Sequence, residues 1–176
     1  KSRAGGVLYS DYSLGRFFAE AARQPWFENT IFLVTADHCA SSAGRTEIPL
    51  QKYHIPALIL APGLIEPGVV DGIVSQIDLM PTLLSLLNMS YDSHFYGRSI
   101  FDPAYVNRAF IATYQDLGYL EGDTFTILSP VRRFEQYRVV PTEENPHHLE
   151  AMERKDAVQV DRAIGYYQTS CKWNKR

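Results

Sequence analysis

Two short apolar runs constrain this chain most: residues 30–36 (TIFLVTA) and 55–61 (IPALILA), each the length of a strand and each closed by a polar or turn-forming break. The first is dense in β-branched and aromatic residues, a pattern that suits a strand buried on both faces. Neither approaches the ~18 consecutive apolar residues of a membrane-spanning helix. Upstream, Leu14, Phe17, Phe18, Ala21 and Ala22 recur at helical spacing and predict a helix from Tyr12 onward. Pro25 ends it, because the residue before a proline is steered away from helical geometry. Helix, strand, loop, strand is the order of an α/β fold.

The remaining pattern adds smaller elements. Asp78 is placed to cap a helix over residues 79–87, with Pro81 in the first turn, where its missing N–H is harmless, and Asn88 as the stop. Residues 91–98 read as loop. Strand-like runs follow at 109–114, 119–120, 124–128 and 134–140, with Glu121-Gly122-Asp123 as a hairpin turn, so a small antiparallel sheet is expected. Val160, Ala163, Ile164, Tyr167 and Cys171 share one face of a last helix. No repeat or linker interrupts the chain. One domain is expected, with residues 1–100 as the α/β part and 101–176 as the small sheet plus C-terminal helix.

Composition narrows the functional classes. With 45% apolar and 21% charged residues the chain is an ordinary globular one. A net charge of −3 lacks the basic surplus of a nucleic-acid binder, so no nucleic-acid partner is expected. Lys1-Ser2-Arg3-Ala4 has no apolar stretch behind it, so it is not a signal peptide, and the start reads as a cut inside a longer protein. Cys39 and Cys171 are too few for a disulfide framework. They are expected as two separate buried thiols, with a pairing in an oxidising compartment as the alternative. The absence of a Cys-x-x-Cys motif leaves a thiol redox module without support.

The chemistry concentrates at Thr35-Ala36-Asp37-His38, where an apolar run ends in an adjacent carboxylate and imidazole. Ligands of open α/β sheets bind beyond the carboxyl ends of the strands. A carboxylate oxygen and a neutral imidazole nitrogen are two members of a ligand set for a divalent ion. On the dipeptide alone, a turn cap beside a surface histidine is the commoner outcome.

The wider context changes that weighting. Asp11 to Gly15 inside Tyr12-Ser13-Leu14-Gly15-Arg16-Phe17-Phe18, then Asn29-Thr30, Thr35-Ala36-Asp37-His38, Tyr53-His54-Ile55-Pro56, Ala61-Pro62-Gly63 and Gln76-Ile77-Asp78-Leu79-Met80-Pro81-Thr82-Leu83-Leu84 resemble, in order and spacing, the landmarks of the sulfatase-like family. The resemblance covers roughly residues 8 to 100. Within the family the chain is most similar to the lipoteichoic-acid-synthase-like and phosphoglycerol-transferase-like branch of the alkaline phosphatase superfamily. Typical sulfatases have Gly directly after Asp-His. Here Cys39-Ala40-Ser41-Ser42-Ala43-Gly44 follows, which counts against simple aryl sulfatase activity. Tyr114-Gln115 and Leu128-Ser129-Pro130 resemble that branch more weakly.

The resemblance implies an alkaline phosphatase/sulfatase-like sandwich, present in part. It implies Asp37 and His38 as ligands of a divalent ion (Mn, Zn, Ca or Mg), serving a phosphotransferase or a phosphoric or sulfuric ester hydrolase. Binding through a neutral His38 would weaken below a pH of about 6.5. Arg45, Lys52 and His54 are candidates for holding substrate oxygens, since phosphate and sulfate call for cationic donors. Their alternative is a solvated loop, with His54 packed on Tyr53. The family's nucleophile and a further acidic ligand lie far upstream and have no counterpart here, so the catalytic partner would be an N-terminal half of the same chain. The implied substrate is a phospholipid or a phosphate or sulfate ester, and the implied location is the extracytoplasmic face of the membrane. A non-catalytic binding module on the same fold is the competing reading. His94, His147 and His148 are expected at the surface or in structural roles, and Arg132-Arg133 on a solvated face.

Overall fold

A computed structural model describes residues 2–39 and 48–173. They fall into two compact units: residues up to Ala36 together with Pro56–Val69, and Asp37–Ile55 together with the chain from Val70 onward.

The first unit holds helix α1 (Arg3–Ala21) and strands β1 (Phe32–Thr35) and β2 (Ala57–Leu60). The helix begins well before Tyr12, because the Ser2 hydroxyl accepts the Gly5 N–H and caps it. Gly5 and Gly6, poor helix formers, hid that first turn. β1 and β2 pair antiparallel, Phe32 opposite Leu60 and Thr35 opposite Ala57. Phe32 is the focus of the packing: Phe17, Phe18, Trp26 and Phe27 surround its ring at centroid distances of 5.4 to 6.2 Å. Both strands were expected to be buried on two faces. They are only half-buried, since within this unit each strand has one partner and α1 covers one face. The α1 stripe is likewise less buried than expected, with Ala21 inside but Leu14 and Phe17 exposed.

The second unit is built on a five-stranded antiparallel meander: β3 (Arg108–Ala112), β4 (Leu117–Glu121), β5 (Thr124–Ser129), β6 (Arg133–Val139) and β7 (Leu149–Ala151). The expected hairpin at Glu121-Gly122-Asp123 is present, with Gly122 at φ 59°, a left-handed value glycine adopts without strain. β7 carries too few apolar residues to be read in advance. Helix α2 (Leu79–Leu86) stops at Asn88, which takes φ 50°. Helix α3 (Ala157–Trp173) lies on the sheet and is riveted there by polar contacts. The fully buried Gln136 donates to the Thr126 hydroxyl and to the Asp156 carbonyl, each at 3.0 Å, and accepts the Asp156 N–H at 2.7 Å. The Tyr167 hydroxyl donates to the carbonyl of Gly118 at 2.7 Å.

Two further expectations are corrected. Asp78 does not cap α2 through its side chain. It closes a capping box with Ser75 on the short turn Gln76–Asp78 and is fully buried. Neither thiol is buried: Cys39 is half-exposed and Cys171, near the end of α3, is exposed, and the two are not joined by a disulfide. No helix among the described residues is long and apolar enough to cross a membrane.

Candidate functional site

Asp37 and His38 follow β1 in the chain and belong to the second unit. Both side chains are open to solvent, 87% for Asp37 and 70% for His38. One carboxylate oxygen of Asp37 accepts the His38 N–H at 2.9 Å, which fixes the carboxylate beside the ring. His38 Nδ1 lies 3.0 Å from the Cys39 carbonyl oxygen. A carbonyl only accepts, so Nδ1 carries a proton and donates. In the neutral ring Nε2 then bears a free lone pair, and Nε2 stands 3.5 Å from the other Asp37 oxygen.

A proton or a divalent cation between these two atoms would bridge them. Ligand atoms about 2.1 Å from an ion at a tetrahedral angle stand about 3.4 Å apart. The 3.5 Å separation therefore fits one edge of a coordination shell. It is an edge and not a full site: among the described residues no group of three or more His, Cys, Asp or Glu converges.

The segment around Lys52 and His54 is held from below. Ile48 and Leu50 are buried against Ile111 and Phe125 of the sheet, and Tyr53 packs on the same cluster. That anchoring leaves Lys52 half-buried on the short turn Leu50–Lys52 and His54 exposed. The Cys39 thiol donates to the His54 carbonyl at 3.1 Å, so the Asp37–Cys39 segment and the His54 segment are tied together. The His54 ring meets His147 edge to face at a centroid distance of 5.3 Å. Burial, and secondarily the nearby His54, lower the His147 pKa below its ordinary 6.5. Nothing local in the sequence connects His54 to His147, since 93 residues separate them. Arg45 lies outside the described residues.

Sequence reasoning missed Arg108. It is 2% exposed, at the start of β3, and donates to both Asp78 oxygens at 3.0 and 3.2 Å. Tyr105 donates to the same carboxylate at 3.0 Å. The Arg108 guanidinium also lies 5.3 Å from the Phe110 ring centre. Burial works against its charge, but Asp78 outweighs burial and the Arg108 pKa is raised. This cluster is a structural anchor, with every donor and acceptor satisfied.

Comparison with known proteins defines the class first. The chain is similar to a solved protein in the alkaline phosphatase superfamily from Vibrio parahaemolyticus, at 32% identity and a TM-score of 0.88, over 99% of this chain and 42% of that one. The α/β fold described above is the fold of that superfamily. The sulfatase family profile matches residues 1–89, and the chain belongs to the sulfatase family. An arylsulfatase of Clostridium perfringens (strain 13 / Type A) is 30% identical over 107 residues, 56% of this chain and 22% of that protein. The chain thus spans less than half the length of the relatives it matches.

Proposed function

We propose that Asp37 and His38 form half of a divalent-metal site in a sulfatase-family enzyme that transfers or hydrolyses a phosphate or sulfate ester. The observation that carries this reading is the opposed pair of donor atoms, Nε2 and carboxylate oxygen, 3.5 Å apart and open to solvent. A divalent ion held by Asp37 and His38 would neutralise charge on non-bridging oxygens of the ester and would lower the pKa of an attacking hydroxyl.

The chain's own residues do the rest of what can be assigned. The Cys39 carbonyl holds the imidazole in the tautomer that leaves Nε2 free, and the His38 N–H holds the carboxylate in register. Lys52 and His54, on their anchored segment, are the donors for substrate oxygens, and Arg45 joins them in this reading. No residue of this sequence is assigned as the nucleophile in this reading. Transfer of a phosphoglycerol or phosphoethanolamine group from a phospholipid, on the extracytoplasmic face of a membrane, is the finer reading. It rests on the resemblance of the segment after Asp37-His38 to that branch.

Turnover assays on the full-length protein with added manganese or zinc separate the possibilities. A glycerophospholipid, nitrophenyl phosphate and nitrophenyl sulfate would be offered in parallel. Release of diacylglycerol is the expected result. Turnover of the sulfate alone would overturn the transferase reading, and no turnover of any of the three would leave a non-catalytic module.

A further inference from the structure

The second unit contains a cavity of about 600 Å³ between residues 93–98 and one side of α3. Arg98, Arg108 and Arg162 all contribute to its lining, and no Asp or Glu does. Two of the three guanidinium groups are already neutralised from behind the wall. Arg108 pairs with the buried Asp78, and Arg162 pairs with Glu121. Arg98 differs: its side chain is exposed, and among the described residues no carboxylate pairs with it.

Its backbone, by contrast, is fixed. The Arg98 N–H donates to Asp78 at 2.8 Å. A Cβ on Gly97 would sit 2.0 Å from the Ile77 carbonyl oxygen, so only glycine allows this close approach. The Tyr96 hydroxyl donates to the Tyr166 carbonyl at 2.5 Å and pairs with the Thr169 hydroxyl, which pins the loop to α3. Arg98 therefore lines the cavity from a rigid base, and Tyr96 and Tyr166 line it too.

A second observation is independent of charge. Gly165 lies inside α3 and lines the cavity. A glycine there destabilises the helix by about 1 kcal/mol relative to alanine. Packing does not require it, because a Cβ at this position would meet nothing within 4 Å. What the missing side chain provides is open space in the cavity.

We infer that this cavity is a binding site for an organic oxyanion, a phosphate or phosphonate group carried on an apolar or ring-shaped body. The anionic group pairs with Arg98, where two N–H donors match two oxygens. The body lies along Tyr166 and Tyr96 over Gly165. The inference does not depend on the metal-site reading, since neither Asp37 nor His38 lines the cavity.

Calorimetric titration of the full-length protein with phenylphosphonate, which ester hydrolysis cannot consume, tests it, with inorganic phosphate in parallel. Phenylphosphonate should bind more tightly than phosphate. Arg98→Ala should weaken it roughly tenfold or more, the scale of one charge-assisted pair. Gly165→Leu should block it with no loss of melting temperature, while Gly165→Ala keeps it. The titrations are run on the Asp37→Ala background in chelator, which removes binding at the metal pair, so that the effects of Arg98→Ala and Gly165→Leu report on this cavity alone. No phenylphosphonate binding, or binding indifferent to both Arg98→Ala and Gly165→Leu, would overturn the inference.

Discussion

Asp37 and Asp78 are the same side chain in opposite circumstances. Asp78 is 0% exposed, and its two oxygens accept from Ser75 N–H, Arg98 N–H, the Tyr105 hydroxyl and two nitrogens of Arg108. Five donors exhaust the roughly four lone-pair positions of a carboxylate, with some sharing. Asp37 is 87% exposed, and the backbone N–H of His38 is its one hydrogen-bond donor among the described residues. A saturated buried carboxylate has nothing left to offer a ligand and holds segments of chain together. An open one, aimed at a neutral nitrogen, contributes almost nothing to the fold and retains its capacity for chemistry. The family match spans both residues, so it is burial and hydrogen bonding that divide their roles.

The largest effect should come from breaking the saturated member. Asp78→Ala leaves the Arg108 cation buried without a partner, and such a loss costs about 3–5 kcal/mol. Two backbone N–H groups lose their acceptor as well. Chemical denaturation should show the midpoint falling accordingly. A loss under about 1 kcal/mol, the range of exposed pairs, would break the contrast between the two aspartates.

A smaller effect is expected between the extremes, at His147, a half-buried ring against His54. Its folded pKa is lowered, so the folded state binds this proton less readily than the unfolded state. The associated stability is complete above about 6.5 and is lost as pH falls below that value toward the folded pKa. Thermal melts at pH 7.5 and 5.5 should show a modest decline that His147→Gln reduces. A decline of the same size in the variant would remove His147 from the account.

What the sequence discloses follows the same division. The class of fold, the antiparallel sheet, the Glu121-Gly122-Asp123 turn and the adjacency of Asp37 and His38 are local patterns, set by side-chain period and by turn chemistry. The Asp78–Arg108 pair is not local. Thirty residues separate the two, and Asp78 sits where a helix cap would, so its backbone position concealed its partner. The five strands of the sheet show as apolar runs except β7, whose Leu149-Glu150-Ala151 has no visible period. The burial of β1 and β2 was misjudged because apolarity reports what a strand tolerates, while the layers around it decide what it obtains. The adjacency of Asp37 and His38 was legible; the tautomer that frees Nε2 required the Cys39 carbonyl in place.

The central claim is that Asp37 and His38 hold a divalent ion. Metal content of the full-length protein, measured for the wild type, Asp37→Ala and His38→Ala after dialysis against manganese or zinc, tests it most directly. Both variants should lose one ion per chain while their unfolding free energies stay within about 0.5 kcal/mol of wild type, as for exposed sites. Unchanged metal content in either variant would contradict the claim.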